Sequence, residues 1–312
     1  MDNEQYYNML ESSARKVRET TARTERFLLH TIDWRDRLIQ ISGSRGAGKT
    51  TMLLQHIKSA FHDNPDAALY VSLDNLWFET NSLVELADLH YKNGGTHLFL
   101  DEVHYMKNWQ LHIAYTGSSM LRLDSDGGDL SRRQIVYSLP GLSFREYLEF
   151  EGLAKLEAVS LPVLLKEHRQ IAEGIPGDMH ILRHFADYLL RGYYPFYKEV
   201  YSGYEQRLAQ VTKQILEGDY PAIEKINYST VQKIRKMLYI LAQSCPQTPK
   251  MSELYGQLET DRNQGLKMLS ILNRANLLNI LSSEKSTLKN MARPDKIYCD
   301  NTNIMYSLTE SI

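Results

Sequence analysis

The chain has 312 residues, 43% of them hydrophobic and 24% charged, with a formal net charge of −2. Such a composition excludes a disordered chain and has room for about two domains, and the charge excludes a chain-wide basic field for nucleic acid. Cys245 and Cys299 are too few for a disulfide framework or a CxxC zinc site, and no apolar run approaches the roughly 18 residues of a membrane span. The polar start Met1–Gln5 lacks the pattern of a secretory leader, so the expectation is a cytoplasmic protein with reduced thiols and no membrane partner.

Residues 5–30 place Tyr6, Met9, Leu10, Val17, Phe27, Leu28 and Leu29 at helix-like intervals among charges. This predicts an amphipathic helix docked on the core that comes after it in the chain, with no chemistry of its own.

The next stretch satisfies G-x-x-x-x-G-K-[ST] without a mismatch: Gly43, Ser44, Arg45, Gly46, Ala47, Gly48, Lys49 and Thr50, then Thr51. Leu38, Ile39 and Ile41 make an apolar strand before it, and residues 51–61 have helical spacing after it. Strand, glycine loop and helix together form a phosphate site: glycines turn backbone N–H groups inward, and the helix adds its positive end. Lys49 is expected to reach the β- and γ-phosphates of ATP, and the Thr50 hydroxyl to ligate Mg²⁺.

A turn at residues 62–66 leads to a second buried strand, 67–74, and a helix, 83–91, closed by Asn93, Gly94 and Gly95. The apolar strand 96–102 then delivers two adjacent carboxylates, Asp101 and Glu102, at its C-terminal end. In a P-loop fold this strand lies beside the phosphate-loop strand, so Asp101 would face Mg²⁺ and Glu102 would polarise an attacking water. A bare polar strand end is the alternative, and the βαβ pattern between loop and acids favours the functional reading. Residues 111–119 read as a strand inserted between these two, with Thr116, Ser118 and Ser119 as candidates to sit near the γ-phosphate. A simple Thr/Gly/Ser turn explains them equally well. The loop 123–130 contains a D-x-x-G but no guanine-specificity motif accompanies it, which argues against a GTPase. Arg132 and Arg133, just before strand 134–139, are candidates to stabilise charge on a transferring phosphoryl group, in cis or from a second subunit. The bland alternative is a solvated pair at a loop end.

Taken together, the stretches 43–51, 98–104, Asn108-Trp109, 115–119, 129–133 and 140–148 resemble a family of prokaryotic AAA-superfamily ATP-binding proteins, as do 191–197 and 294–303. The resemblance covers nearly the whole chain and implies an α/β P-loop NTPase core of AAA type that binds and hydrolyses ATP, joined to an uncharacterised C-terminal region. Two departures stand out. Parallel strands need a crossover of roughly a dozen residues, whereas Val103 to Gln110 supplies only eight. Either the path is unusually tight or the sheet is incomplete, with one face exposed. In the family, moreover, the Asp-Asn-Thr-Asn segment leads into a nuclease-like domain. Because the sequence stops at Ile312, the expectation is a truncated member without nuclease activity.

By the same resemblance, residues 161–228 form a helical lid and linker. His180 and His184 share a helix face there but lack a third metal ligand, which makes them packing residues, and the aromatic run 192–197 reads as core. Residues 229–283 read as three helices running on into a strand, and three helices with a hairpin make a winged helix-turn-helix. Thr260 is expected to cap its third helix, with Arg262, Asn263, Gln264 and Lys267 facing outward. Between Val231 and Lys296 there are 11 lysines and arginines against 5 acids, a local surplus suited to DNA. A protein-interaction module is the even alternative.

The expected organisation is therefore an N-terminal helical segment (1–36), a P-loop core (37–160), the lid and linker (161–228), a winged-helix unit (229–283) and the start of a further domain (284–312). ATP and Mg²⁺ are the expected cofactors, and hydrolysis used as a conformational switch is the leading function. Two alternatives stay open: a DNA-binding regulator that holds ATP with little turnover, and an inactive relic.

Overall fold

The computed structural model describes residues 3–21, 24–79, 81–101, 112–118, 134–175, 179–200, 202–220, 227–243, 250–282, 294 and 296–309. Helix α1 (Asn3–Glu19) is followed by a 3₁₀ turn (Phe27–His30). The core then alternates β1 (Leu38–Gly43), α2 (Lys49–Ala60), β2 (Ala68–Ser72), α3 (Leu83–Lys92), β3 (His97–Asp101), β4 (His112–Ser118) and β5 (Ile135–Ser138). All pairings in this sheet are parallel, in the order β2-β3-β4-β1-β5.

Strands β1 to β4 are largely buried apolar runs because helices cover both sheet faces, whereas the edge strand β5 is mostly exposed. Side-chain alternation sends Ile39, Ile41, Tyr70, Phe99 and Ala114 towards Met52, Leu53 and Ile57 of α2. It sends Leu69, Val71, Leu98, Leu100, Ile113 and Tyr115 to the other face, with Leu86 of α3 and Tyr6 of α1.

The acidic strand β3 is not directly beside β1: as expected for strand 111–119, β4 is inserted between them and bonds to both. Nor is the sheet incomplete: Ile113, Ala114, Tyr115 and Thr116 are all buried, so β4 has no bare face. The connection between β3 and β4 lies outside the described residues, as do Ser119, the loop 123–130 and Cys245.

Beyond the sheet come α4 (Phe144–Phe150), α5 (Leu161–Glu173), α6 (Ile181–Asp187) and α7 (Tyr204–Gln214). A full capping box starts α4: the Ser143 hydroxyl accepts from the Glu146 amide while the Glu146 carboxylate accepts from the Ser143 amide. No residue of α5 is buried. His180 is exposed and His184 half-buried, so neither is a core residue, and no group of three or more metal-ligating residues forms among the described residues. After them come α8 (Tyr228–Gln243), α9 (Met251–Gln257) and α10 (Arg262–Arg274). The antiparallel pair β6 (Leu278–Leu281) and β7 (Lys296–Cys299) and helix α11 (Thr302–Thr309) complete the chain. Asp261, not Thr260, caps α10, its carboxylate accepting from the Asn263 and Gln264 amides. Aspartate is the stronger cap because it brings a full negative charge to the positive helix end.

Residues assigned by sequence to lid, winged-helix unit and terminal segment share one apolar cluster. Tyr194, Phe196 and Leu208 pack in it with Met237, Leu238, Leu269, Leu272, Ile297 and Ile304. Among the described residues, no helix is long and apolar enough to cross a membrane.

Candidate functional site

The loop between β1 and α2 has the backbone that its glycines allow. Gly46 and Gly48 have φ of +84° and +90°, a region that residues with a Cβ rarely adopt. At Gly46 a Cβ would also stand 2.8 Å from the Phe196 ring, so the position is closed to a side chain twice over. Alternation of such conformations points successive N–H groups to one side and makes an anion cradle, with α2 starting at Lys49 behind it. Lys49 is buried, its ammonium donating to the carbonyls of Gly43 at 2.8 Å and Ser44 at 3.0 Å. The Ser44 hydroxyl is buried with no hydrogen-bond partner among the described residues.

Opposite the loop, Asp101 ends β3 and is only 5% exposed. Three hydroxyls converge on its carboxylate. Thr50 donates to Oδ2 at 2.6 Å, Tyr70 donates to the same oxygen at 3.0 Å, and Thr116 donates to Oδ1. Burial first, then the charge of Asp101, pushes the Tyr70 phenol far up, so it stays a donor. The structure therefore brings together Lys49, Thr50, Asp101 and Thr116, which sequence reading placed in one site, although they come from α2, β3 and β4. Glu102, Arg132 and Arg133 lie outside the described residues, and the Ser118 side chain is also undescribed.

Sequence reading missed two contributors. Tyr70 had the signal of a phenol two residues before the end of a buried strand, but only the β2–β3 register, which sets Tyr70 beside Phe99 and Ser72 beside Asp101, aims it at that carboxylate. Arg26 had no local signal at all. Its partners are the Ala47 carbonyl in the loop, the Pro140 and Gly141 carbonyls and the Glu146 carboxylate.

The residues present fit a nucleotide with its magnesium. Thr50 and Asp101 offer the hard hydroxyl and carboxylate oxygens that Mg²⁺ prefers, and the loop offers a nest of amides with an orphaned hydroxyl at its base.

Residues 35–148 match the family model described as an AAA domain. The chain carries an AAA-type P-loop core. Residues 182–310, after the AAA core, match a domain of unknown function (DUF8612). An uncharacterized protein of Methanocaldococcus jannaschii is 26% identical over 287 residues, which is 83% of this chain and 60% of that protein. The chain thus spans about 60% of the length of that curated relative. Among solved structures, AMPPCP-bound DnaA from Aquifex aeolicus is similar at 15% identity and a TM-score of 0.30, over 99% of this chain and 94% of that one. A RuvB mutant from Thermotoga maritima is similar at 16% and 0.32, over 88% and 93%. At TM-scores this low neither likeness bears on the chemistry of the AAA core.

Proposed function

We propose that the chain binds ATP with Mg²⁺ at the loop 43–51 and hydrolyses it, using the cycle as a conformational switch. The observation that carries this reading is the Thr50–Asp101 hydrogen bond of 2.6 Å beside the glycine loop, which unites the phosphate cradle and the metal-binding carboxylate. In this reading the backbone amides of Gly46, Ala47, Gly48 and Lys49 hold phosphate oxygens. Lys49 leaves the Gly43 and Ser44 carbonyls for the β- and γ-phosphates, and Ser44, Arg45 and Thr51 border the chain of phosphates. Thr50 and Asp101 hold the magnesium, which when bound neutralises charge on the phosphates. Thr116, bonded to Asp101, keeps that carboxylate oriented, with Ser118 at the end of the same strand. Glu102, next along, accepts the proton of the attacking water. Arg132 or Arg133 stabilises the transferred group, within one chain or across two.

The test is phosphate release by the wild-type protein and by Glu102→Gln and Lys49→Ala variants. Glu102→Gln keeps ATP binding and loses turnover by about 10² or more, the scale of a missing general base. Lys49→Ala loses binding, measured by calorimetry. Unchanged turnover in the first variant removes Glu102 from its role, and unchanged affinity in the second removes the loop.

A second reading is favoured by one observation: Arg262, Asn263, Gln264 and Lys267 all lie exposed on the first turns of α10. With α8, α9 and β6, that helix supports a winged-helix unit at 229–283 that reads DNA, while the region 161–228 serves as lid. A regulator that holds ATP without turnover then shows DNA binding and no phosphate release.

A further inference from the structure

The guanidinium of Arg26 is the least expected feature beside the glycine loop. It comes from the segment before the core, is 6% exposed, and spends its N–H groups on four acceptors. Nε donates to Glu146 at 2.9 Å, Nη2 to the carbonyls of Pro140 at 2.7 Å and Gly141 at 2.9 Å, and Nη1 to the Ala47 carbonyl. Glu146 is held in turn by the Phe27 amide at 3.2 Å and by the Ser143 amide and hydroxyl, both at 2.9 Å. Burial pushes the Glu146 carboxyl up, but the Arg26 charge and these donors outweigh it and leave it below its ordinary value, so the pair is ionised.

The consequence lies in one peptide plane. In a trans peptide the C=O and N–H point in opposite directions. Fixing the Ala47 carbonyl on Arg26 therefore fixes the Gly48 N–H on the opposite side. Gly48 is the residue least able to hold that plane by itself, since its φ of +90° is one of many that glycine accepts. A planar fork anchored at three further points is rigid enough to do so, and lysine, a point donor, is not.

We infer that Arg26 is a positioning residue for the phosphate loop: it locks the Ala47–Gly48 peptide with its amide turned towards the anion, and Glu146 keeps Arg26 in place. This rests on the nucleotide reading above and adds a residue from outside the motif to it. Its ligand class is the phosphate chain, not the base, so the effect is the same for any ligand carrying a diphosphate.

Calorimetry with ADP and with inorganic pyrophosphate, on wild type, Arg26→Gln and Glu146→Gln, tests the assignment, with thermal unfolding of each protein alongside. Both substitutions break the buried pair and lower Tm. Only Arg26→Gln removes the bond to the loop, so it weakens ADP and pyrophosphate by one common factor of about tenfold or more, the worth of a charge-assisted hydrogen bond. Glu146→Gln weakens them by less. Wild-type affinity in folded Arg26→Gln, or an equal loss in both variants, overturns the assignment and leaves Arg26 a purely structural tie. If the glutamine variant does not fold, Arg26→Lys carries the same test, because it keeps a cation against Glu146 without the fork. A several-fold loss supports the assignment and wild-type affinity overturns it. Wild-type protein that binds neither ligand overturns the nucleotide reading itself, and the role of Arg26 with it.

Discussion

Asp101 illustrates how much of this site is decided one residue at a time. A carboxylate that is 5% exposed tolerates its charge only if its oxygens are paired, and Thr50, Thr116 and Tyr70 supply three hydroxyls for two oxygens. Two of these belong to the expected site and the third, Tyr70, ties the carboxylate to β2. Asp101→Asn keeps the shape and removes the charge. Its expected effect is loss of the magnesium dependence of ATP affinity, with metal-free affinity unchanged, measured by calorimetry with and without the ion. Retained magnesium dependence would take Asp101 out of the metal site. Sequence reading found Asp101 and Thr116 because each stands at the end of an apolar strand. It overlooked Arg26 because a charged residue in a polar segment looks solvated, and its partner Glu146 is 120 positions away.

At the level of elements, the N-terminal end of β3 and the end of α2 share an aromatic layer with an acid sensitivity built in. The His56 ring stacks on Trp34 with centroids 3.7 Å apart and packs near Phe99, and burial followed by the charge of His97 lowers its pKa to about 4. Burial also lowers His90 and His97. His90 accepts from the Tyr6 hydroxyl and donates to the His97 carbonyl, as a neutral ring does, which pins α1 and α3 to the sheet. For a histidine lowered in the fold, the unfolded chain binds more protons between the two pKa values, so stability falls as pH falls. For His56 that window runs from 6.5 down to about 4. The slope is at most about 1.4 kcal/mol per pH unit for each such histidine. Denaturant unfolding at pH 7 and pH 5 measures it, and His56→Phe, which keeps the stack and cannot titrate, flattens the profile. An unchanged slope in that variant would show that His56 is protonated equally in both states. The strands and helices of the core were legible in outline from apolar runs and glycine turns. The place of strand 111–119 between β1 and β3 was expected, but the edge positions of β2 and β5 were not legible, because adjacency depends on which edges pair in space and leaves no periodicity in the chain.

Across the whole molecule, the phosphate loop is a meeting point of three parts of the chain. Arg26 bonds the Ala47 carbonyl from the N-terminal side. Phe196 covers Gly46 from the C-terminal region, and with its amide oxygen turned to the loop Gln214 of α7 accepts from both Arg45 Nη atoms at 3.2 and 3.1 Å. Because Phe196 belongs to the same apolar cluster as Leu269 and Leu272 of α10, a shift of the loop has a packed route to that helix. If α10 reads DNA, duplex binding weakens with salt by about one log unit of affinity per log unit of salt for each phosphate contacted. Arg262→Ala and Lys267→Ala then each reduce that slope, which titrations over a range of salt concentrations measure. Binding indifferent to salt would leave the region as a protein-interaction surface.

By itself the sequence determined the phosphate loop, the carboxylate that faces it and the alternating α/β core, because each is written in neighbouring residues: glycines where φ must be positive, apolar runs where both faces are covered. Only the tertiary structure decided that β2 and β5 form the edges of the sheet, that Tyr70 and Arg26 join the site, and that buried apolar residues from Tyr194 to Ile304 share one core. Those features depend on contacts between positions far apart in the chain, where local pattern carries no information and packing and hydrogen-bond satisfaction in three dimensions make the choice.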